Sequence, residues 1–159
     1  MKDVFLLYDT CCLYEIVILN YFMKATGCEA VFCSPDGRSV HAMEGYSVNV
    51  DMGLGELDPA LVRSFIVPGG DIRQAASGTV TEVLEKLKES GALIAGICAG
   101  TDLLEREGIL EGISSTHNAE EDVVKDGRVI TARANAYVDF AIEIAKELGL
   151  FTDEADLKE

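Results

Sequence analysis

Short runs of consecutive apolar residues alternate along the chain with stretches in which apolar side chains recur every three or four positions. The runs are Val4 to Tyr8, Glu29 to Cys33, Ser64 to Val67 and Ala92 to Ala95. Each is too short for a buried helix, and most are apolar at successive positions, as strands covered on both faces are. Between them lie helical patterns. Leu13, Ile16, Val17 and Asn20 to Lys24 keep a helical period that Thr26-Gly27 stops, and a longer helix follows Pro68-Gly69-Gly70 and ends near Ser90-Gly91. Thr101 to Glu107 and Ala136 to Leu148 read as two more helices. Strand and helix in alternation predict an α/β fold, a mostly parallel sheet with helices on both faces.

Smaller elements fill the gaps. Ser34-Pro35-Asp36-Gly37 is made of turn residues, and Ser39 to Met43 with Tyr46 to Asp51, joined at Glu44-Gly45, predict a small antiparallel hairpin at an edge of the sheet. Asp58-Pro59 opens a short turn or helix. Ile113 to Thr116 and Arg128 to Ala132 are expected as short strands, with Lys125-Asp126-Gly127 turning between Val123-Val124 and Val129-Ile130. Neither repeats nor low-complexity segments appear, and residues 1–159 suit one domain.

Gly96-Ile97-Cys98-Ala99-Gly100-Thr101 places a cysteine between two glycines where a strand gives way to a helix. That is the pattern of a nucleophile elbow, in which glycines let the backbone turn tightly against its neighbours and leave the side chain at the tip. The amide groups and dipole of a helix N-terminus favour thiolate over thiol, so Cys98 is the candidate nucleophile. Its alternative is a small hydrophobe filling core. In open parallel sheets ligands bind beyond the carboxyl ends of the strands, which here carry Asp9 to Glu15, Pro68-Gly69-Gly70-Asp71 and the elbow itself. Backbone N–H groups of Gly69, Gly70 and Ala99 are candidate oxyanion donors there.

Charge narrows the partners. With 13 basic against 28 acidic residues the formal net charge is -15, which repels nucleic-acid backbones and anionic lipid. Asp153-Glu154-Ala155-Asp156 reads as a solvated tail. No apolar stretch is long enough to cross a bilayer, and the apolar run after Met1 is too short for a signal peptide. Five cysteines, Cys11, Cys12, Cys28, Cys33 and Cys98, are odd in number and lack C-x-x-C spacing. This argues against a disulfide scaffold or a zinc knuckle and for a reducing cytoplasm. Cys11 or Cys12, on the loop before Glu15, is a candidate resolving thiol for an oxidised Cys98.

Five segments resemble the ThiJ/PfpI superfamily, whose fold is shared with class I glutamine amidotransferase domains. They are Tyr8 to Glu15, Ile66 to Gly70, Ile97 to Gly100, Ser115-Thr116-His117 and Asp126 to Arg133, in the family's order and across nearly the whole chain. The resemblance implies a flavodoxin-like three-layer sandwich, a homodimer, and a reactive cysteine held by a glutamate from the first helix. Cys98 matches that cysteine and Glu15 that glutamate. His117 matches the histidine of the parkinsonism-associated deglycase and glyoxalase III branch. A carboxyl beside a thiolate has its own ionisation opposed, so Glu15 is expected to stay protonated, donate to sulfur and pass its proton to a substrate. Ala99 stands where the intracellular protease branch has histidine, which argues against a peptidase. Asn118 to Asp122 is shorter than in the deglycase branch, and Ala134-Asn135-Ala136 replaces its Gly-Pro-Gly turn.

Two functions follow as expectations. In the first, Cys98 attacks a small electrophile, a 2-oxoaldehyde or an isocyanide, with Glu15 as proton shuttle and neither metal nor organic cofactor. In the second, Cys98 is the oxidised group of a non-enzymatic redox sensor or stress-protective protein. An amidotransferase-like hydrolase is a third reading, for which only His117 is available as the base.

Overall fold

The computed structural model describes residues 1–151. The acidic segment read above as a solvated tail lies outside the described residues. Seven strands form the main sheet, in the order β5 (Met52–Gly53), β2 (Glu29–Ser34), β1 (Lys2–Leu6), β6 (Val62–Val67), β7 (Leu93–Ile97), β9 (Val129–Ala132) and β8 (Val123–Asp126). All neighbours run parallel except β8 and β9, which form an antiparallel hairpin around Gly127. From β1 the chain moves outward to β2 and β5, then returns to β6 on the other side of β1 and proceeds to β7 and β9. The reversal lies between β1 and β6, and the crevice above their carboxyl ends is the natural ligand site of such a sheet.

Four α-helices cover the faces: α1 (Val17–Ala25), α2 (Gly78–Ser90), α3 (Ala99–Arg106) and α4 (Tyr137–Glu147). Strand crossovers are right-handed, so the change of direction puts α1 on one face and α2 and α3 on the other. α4 packs beside α1. Each helix buries a stripe, as Val80, Val83, Leu84 and Leu87 do for α2. That helix starts with Ser77 Oγ accepting from the Val80 N–H at 3.2 Å and ends at Gly91, whose φ of 79° admits glycine readily. The centre of the sheet is sealed by Phe5, Leu6, Phe65, Ile66 and Leu93, all without solvent exposure. At roughly 2 kcal/mol for each large apolar side chain buried, this strip is the main source of stability.

Three local expectations change. Ile113 to Thr116 is a turn, because its amides find side-chain acceptors: Ser114 N–H donates to Asp126, Ser115 N–H to Asn118 and Thr116 N–H to Thr131 Oγ1. The predicted hairpin forms as β3 (Val40–His41) and β4 (Ser47–Val48), but these pair only with each other, and β5 takes the edge of the main sheet instead. Their outward bonds go to the loop after β1, where Thr10 N–H donates to the His41 carbonyl and Met43 N–H to the Cys11 carbonyl. The first helix begins at Val17, preceded by a separate 3-10 turn at Leu13–Glu15.

Candidate active site

Cys98 stands at the junction of β7 and α3 with φ 56° and ψ -128°. A non-glycine residue in that region stores roughly 1–3 kcal/mol of strain and persists only where its surroundings fix it. Here Cys98 N–H donates to the Ala132 carbonyl at 2.9 Å, and Thr101 N–H returns to the Cys98 carbonyl at 3.0 Å. A Cβ on Gly100 would lie 2.1 Å from the Val67 carbonyl oxygen, so only glycine lets α3 start this close to β6. The strained turn leaves Cys98 exposed, although the residues before it in β7 are buried.

Glu15 approaches from the 3-10 turn after β1 and is 1 % exposed. Its Oε1 accepts from the Gly69 N–H at 2.8 Å, while Oε2 is buried without a hydrogen-bond partner. A Cβ on Gly69 would fall 2.8 Å from Glu15 Oε1 and 3.2 Å from Cys98 Sγ, so glycine here lets the acid and the thiol share one small space. Tyr8 fixes the same loop by donating its hydroxyl to the Pro68 carbonyl at 2.5 Å.

Burial pushes the Glu15 carboxyl above its usual range, the Gly69 N–H and the Cys98 thiol pull it back, and Glu44 adds to the rise. Burial also pushes the Cys98 thiol up, reinforced by the negative charge of Glu15 and opposed by the Ala99 N–H. The depressed thiol expected from the helix N-terminus is therefore corrected, since desolvation and a neighbouring carboxylate outweigh the Ala99 N–H. Each group influences the other's ionisation, yet no Cys98–Glu15 hydrogen bond of regular distance and angle is formed, and Oε2 is the orphaned end. A proton on Glu15 resolves both penalties. It neutralises the buried acid and removes the charge that opposes thiolate.

The remaining candidates fall around this pair. Gly69 N–H is engaged by Glu15, which leaves Gly70 and Ala99 as backbone donors toward a substrate. His117 is brought to α3 rather than to the sulfur, with Nε2 2.7 Å from Asp102 Oδ1 and Nδ1 2.9 Å from Glu105 Oε2. Cys12 N–H donates to the Gly69 carbonyl at 2.8 Å, and its thiol is pushed up to about 11 by burial and by the charges of Glu15, Glu44 and Cys98. Cys11 is fully buried. Among the described residues all five cysteines are free, and no group of three or more His, Cys, Asp or Glu is placed to hold a metal ion.

Sequence reasoning missed three participants. Asp102 and Glu105 sit three apart on α3, a spacing that puts both on one helix face and that a reading of charge pairs would have found. Glu44 gave no signal. It is thirty-one and thirty residues from the amides of Leu13 and Tyr14 that it binds, and only the fold brings them together.

The family model of the DJ-1/PfpI family matches residues 1–147. A deglycase of Thermococcus kodakarensis is 28% identical over 117 residues, 71% of this chain and 70% of its own length. A glutathione-independent glyoxalase of Caenorhabditis elegans is 23% identical over 150 residues, 84% of this chain and 81% of its own. The crystal structure of a DJ-1 superfamily protein from Agrobacterium tumefaciens superposes with a TM-score of 0.90 at 28% identity, covering 99% of this chain and 95% of that one. Both of these curated relatives are named as enzymes, and the elbow, the paired glycines and the buried glutamate lie within the matched residues. The chain belongs to the DJ-1/PfpI family.

Proposed function

We propose that this protein is a cysteine-dependent enzyme acting on a small electrophilic carbonyl, with a 2-oxoaldehyde as its substrate class. One observation carries the reading: a carboxyl 1 % exposed, with one oxygen lacking any partner, shares a glycine-lined space with an exposed thiol. Such an acid holds its proton to higher pH than an exposed carboxyl does and has somewhere to deliver it.

The Cys98 thiolate attacks the aldehyde carbon, forming a C–S bond, and the carbonyl oxygen takes the proton from Glu15 to give a hemithioacetal. The Gly70 and Ala99 amides stabilise the oxygen as charge develops. Glu15, now a carboxylate, takes the hydrogen from the same carbon as a proton to leave an enediolate and delivers it to the neighbouring carbon, while the hydroxyl proton passes from the first oxygen to the second, giving the isomeric thioester of a 2-hydroxy acid. Water cleaves that thioester and frees the Cys98 thiol. Oxidation at one carbon balances reduction at the next, so the sum is 2-oxoaldehyde plus water to hydroxy acid. The scheme draws on protein groups alone.

The Thermococcus relative's name, deglycase, and the Caenorhabditis relative's name, glyoxalase, support this class. Five free cysteines fit a reducing, cytoplasmic setting; no helix among the described residues is long and apolar enough to cross a membrane. The test is turnover of methylglyoxal. Cys98→Ala is expected to abolish it and Glu15→Gln to lower kcat by about 10²–10⁴-fold, the usual worth of general acid–base catalysis. Full activity in either variant overturns the reading. The exposure of Cys98 favours one second reading, a redox sensor whose thiol is oxidised by peroxide. It would show stoichiometric peroxide consumption and no saturable turnover of any carbonyl.

We further propose a homodimer. Tyr14, Val17 and Tyr21 leave an exposed apolar stripe on and before α1, beside the element that carries Glu15. Sedimentation equilibrium is expected to give twice the chain mass at micromolar concentration, and a monomer there overturns this part.

A further inference from the structure

The turn that holds Glu15 is short and has no cap of its own. Cys12 at its start makes no side-chain hydrogen bond to it, so the first amides, those of Leu13 and Tyr14, have no partner within the turn. Both are met from elsewhere. Glu44, at the tip between β3 and β4, accepts from Leu13 N–H with Oε1 at 3.1 Å and from Tyr14 N–H with Oε2 at 2.8 Å. The same hairpin grips the loop just before the turn in three more places: Thr10 N–H donates to the His41 carbonyl, Met43 N–H to the Cys11 carbonyl, and His41 N–H to Asp9 Oδ1. A two-stranded hairpin this small is marginal alone. Its bonds make sense as a strap across the segment that aims Glu15 at the thiol.

We propose that Glu44 is a positioning residue for the acid of the active site, acting through its two-pronged cap on the 13–15 turn to hold Glu15 beside Cys98. This rests on the Cys98–Glu15 reading above. The charge of Glu44 works in the same direction as the cap, since it raises Glu15 together with burial. Other titratable groups lie close enough to feel the charge of Glu15: Tyr8, Cys12 and Tyr14 on the segment that runs from β1 through the turn, and Cys98 at the elbow. None of these caps the turn.

The mechanism gives the sign. With one proton shared between acid and thiol, anything that makes Glu15 easier to ionise moves the proton to sulfur and lowers the thiolate fraction. Glu44→Gln keeps one acceptor oxygen and loses the charge; Glu44→Ala loses both.

The experiment follows alkylation of Cys98 by iodoacetamide between pH 6 and 9, with mass spectrometry assigning the site, alongside methylglyoxal turnover. Relative to wild type, Glu44→Ala is expected to slow alkylation at pH 7 about tenfold and Glu44→Gln about threefold, with kcat falling in the same order and KM little changed. Glu82→Ala, on the exposed face of α2, is the control and leaves both rates alone. In a Glu15→Gln background the Glu44→Ala effect on alkylation is expected to vanish, because Glu44 acts through the acid. An equal slowing with and without Glu15, or wild-type rates in Glu44→Ala, overturns the proposal. Should Glu44→Ala fail to fold, Glu44→Gln alone decides by the same double-variant comparison. The arms are separable: no methylglyoxal turnover in wild type removes the proposed substrate class, while the alkylation profile still reads the position of Glu15.

Discussion

Two carboxylates are buried at opposite ends of the parallel sheet, and they are treated in opposite ways. Asp3, at the amino end of β1, has no exposure and is fully partnered: Arg63 donates from Nε at 3.0 Å and from Nη2 at 2.5 Å, and Ser64 Oγ donates at 2.7 Å. Glu15, beyond the carboxyl end of the same strand, is as deeply buried but receives one backbone N–H and keeps an orphaned oxygen. A charged, bidentate pair with a third donor is how a fold keeps an ionised acid inside. A half-satisfied acid beside a thiol is unstable as an anion and is suited to chemistry. The amino end of the sheet is built for stability and the carboxyl end, on the proposed reading, for reaction, using the same residue class at nearly the same burial.

Breaking the stable side should have the larger effect on folding. Asp3→Ala leaves the Arg63 guanidinium without its partner; because that side chain is about a third exposed, water relieves part of the loss. We expect about 2–3 kcal/mol of destabilisation, below the range for fully buried pairs, seen as a lower Tm in thermal unfolding with an unchanged alkylation rate at Cys98. A loss under roughly 0.5 kcal/mol, the level of an ordinary surface substitution, would remove the contrast.

Neutralising the reactive side should have a smaller effect of opposite sign. Unfolded, a glutamate loses its proton near its ordinary value of 4.5; folded, Glu15 holds it to higher pH. The folded state therefore binds more protons across the window from about 4.5 up to the raised folded value, and stability falls as pH rises through it. Glu15→Gln removes that loss. Its Tm is expected to match wild type near pH 4 and exceed it at pH 7 by the few degrees that correspond to about 1 kcal/mol, the usual cost of an unsatisfied buried polar atom. A variant whose Tm falls below wild type at pH 7 would show that Glu15 is a structural acid after all.

Much of this architecture was legible before any coordinates. Apolar runs of strand length gave β1, β2, β6 and β7, and the cysteine between glycines gave the elbow, because both depend on local pattern and backbone freedom. Ile113 to Thr116 misled because its apolar and β-branched residues fit a strand, whereas acceptors from Asp126 and Thr131, distant in sequence, captured its amides. The position of His117 was equally hidden. Proximity to a strand end says nothing about which of two nearby acids the ring will face, and here it meets both Asp102 and Glu105. Thiol ionisation was misjudged for a related reason, since a helix terminus is visible in sequence and desolvation is not.

The single N–H that Gly69 gives to Glu15 has a dynamic consequence. Carboxylates accept hydrogen bonds more strongly than carboxylic acids do. Under the proposed mechanism the tether would be slack while the acid is loaded and tighten once its proton has gone to substrate, drawing the side chain back to where it can be recharged. In the proposed reaction, a backbone amide in this position would work as a return spring, resetting the proton donor between turnovers.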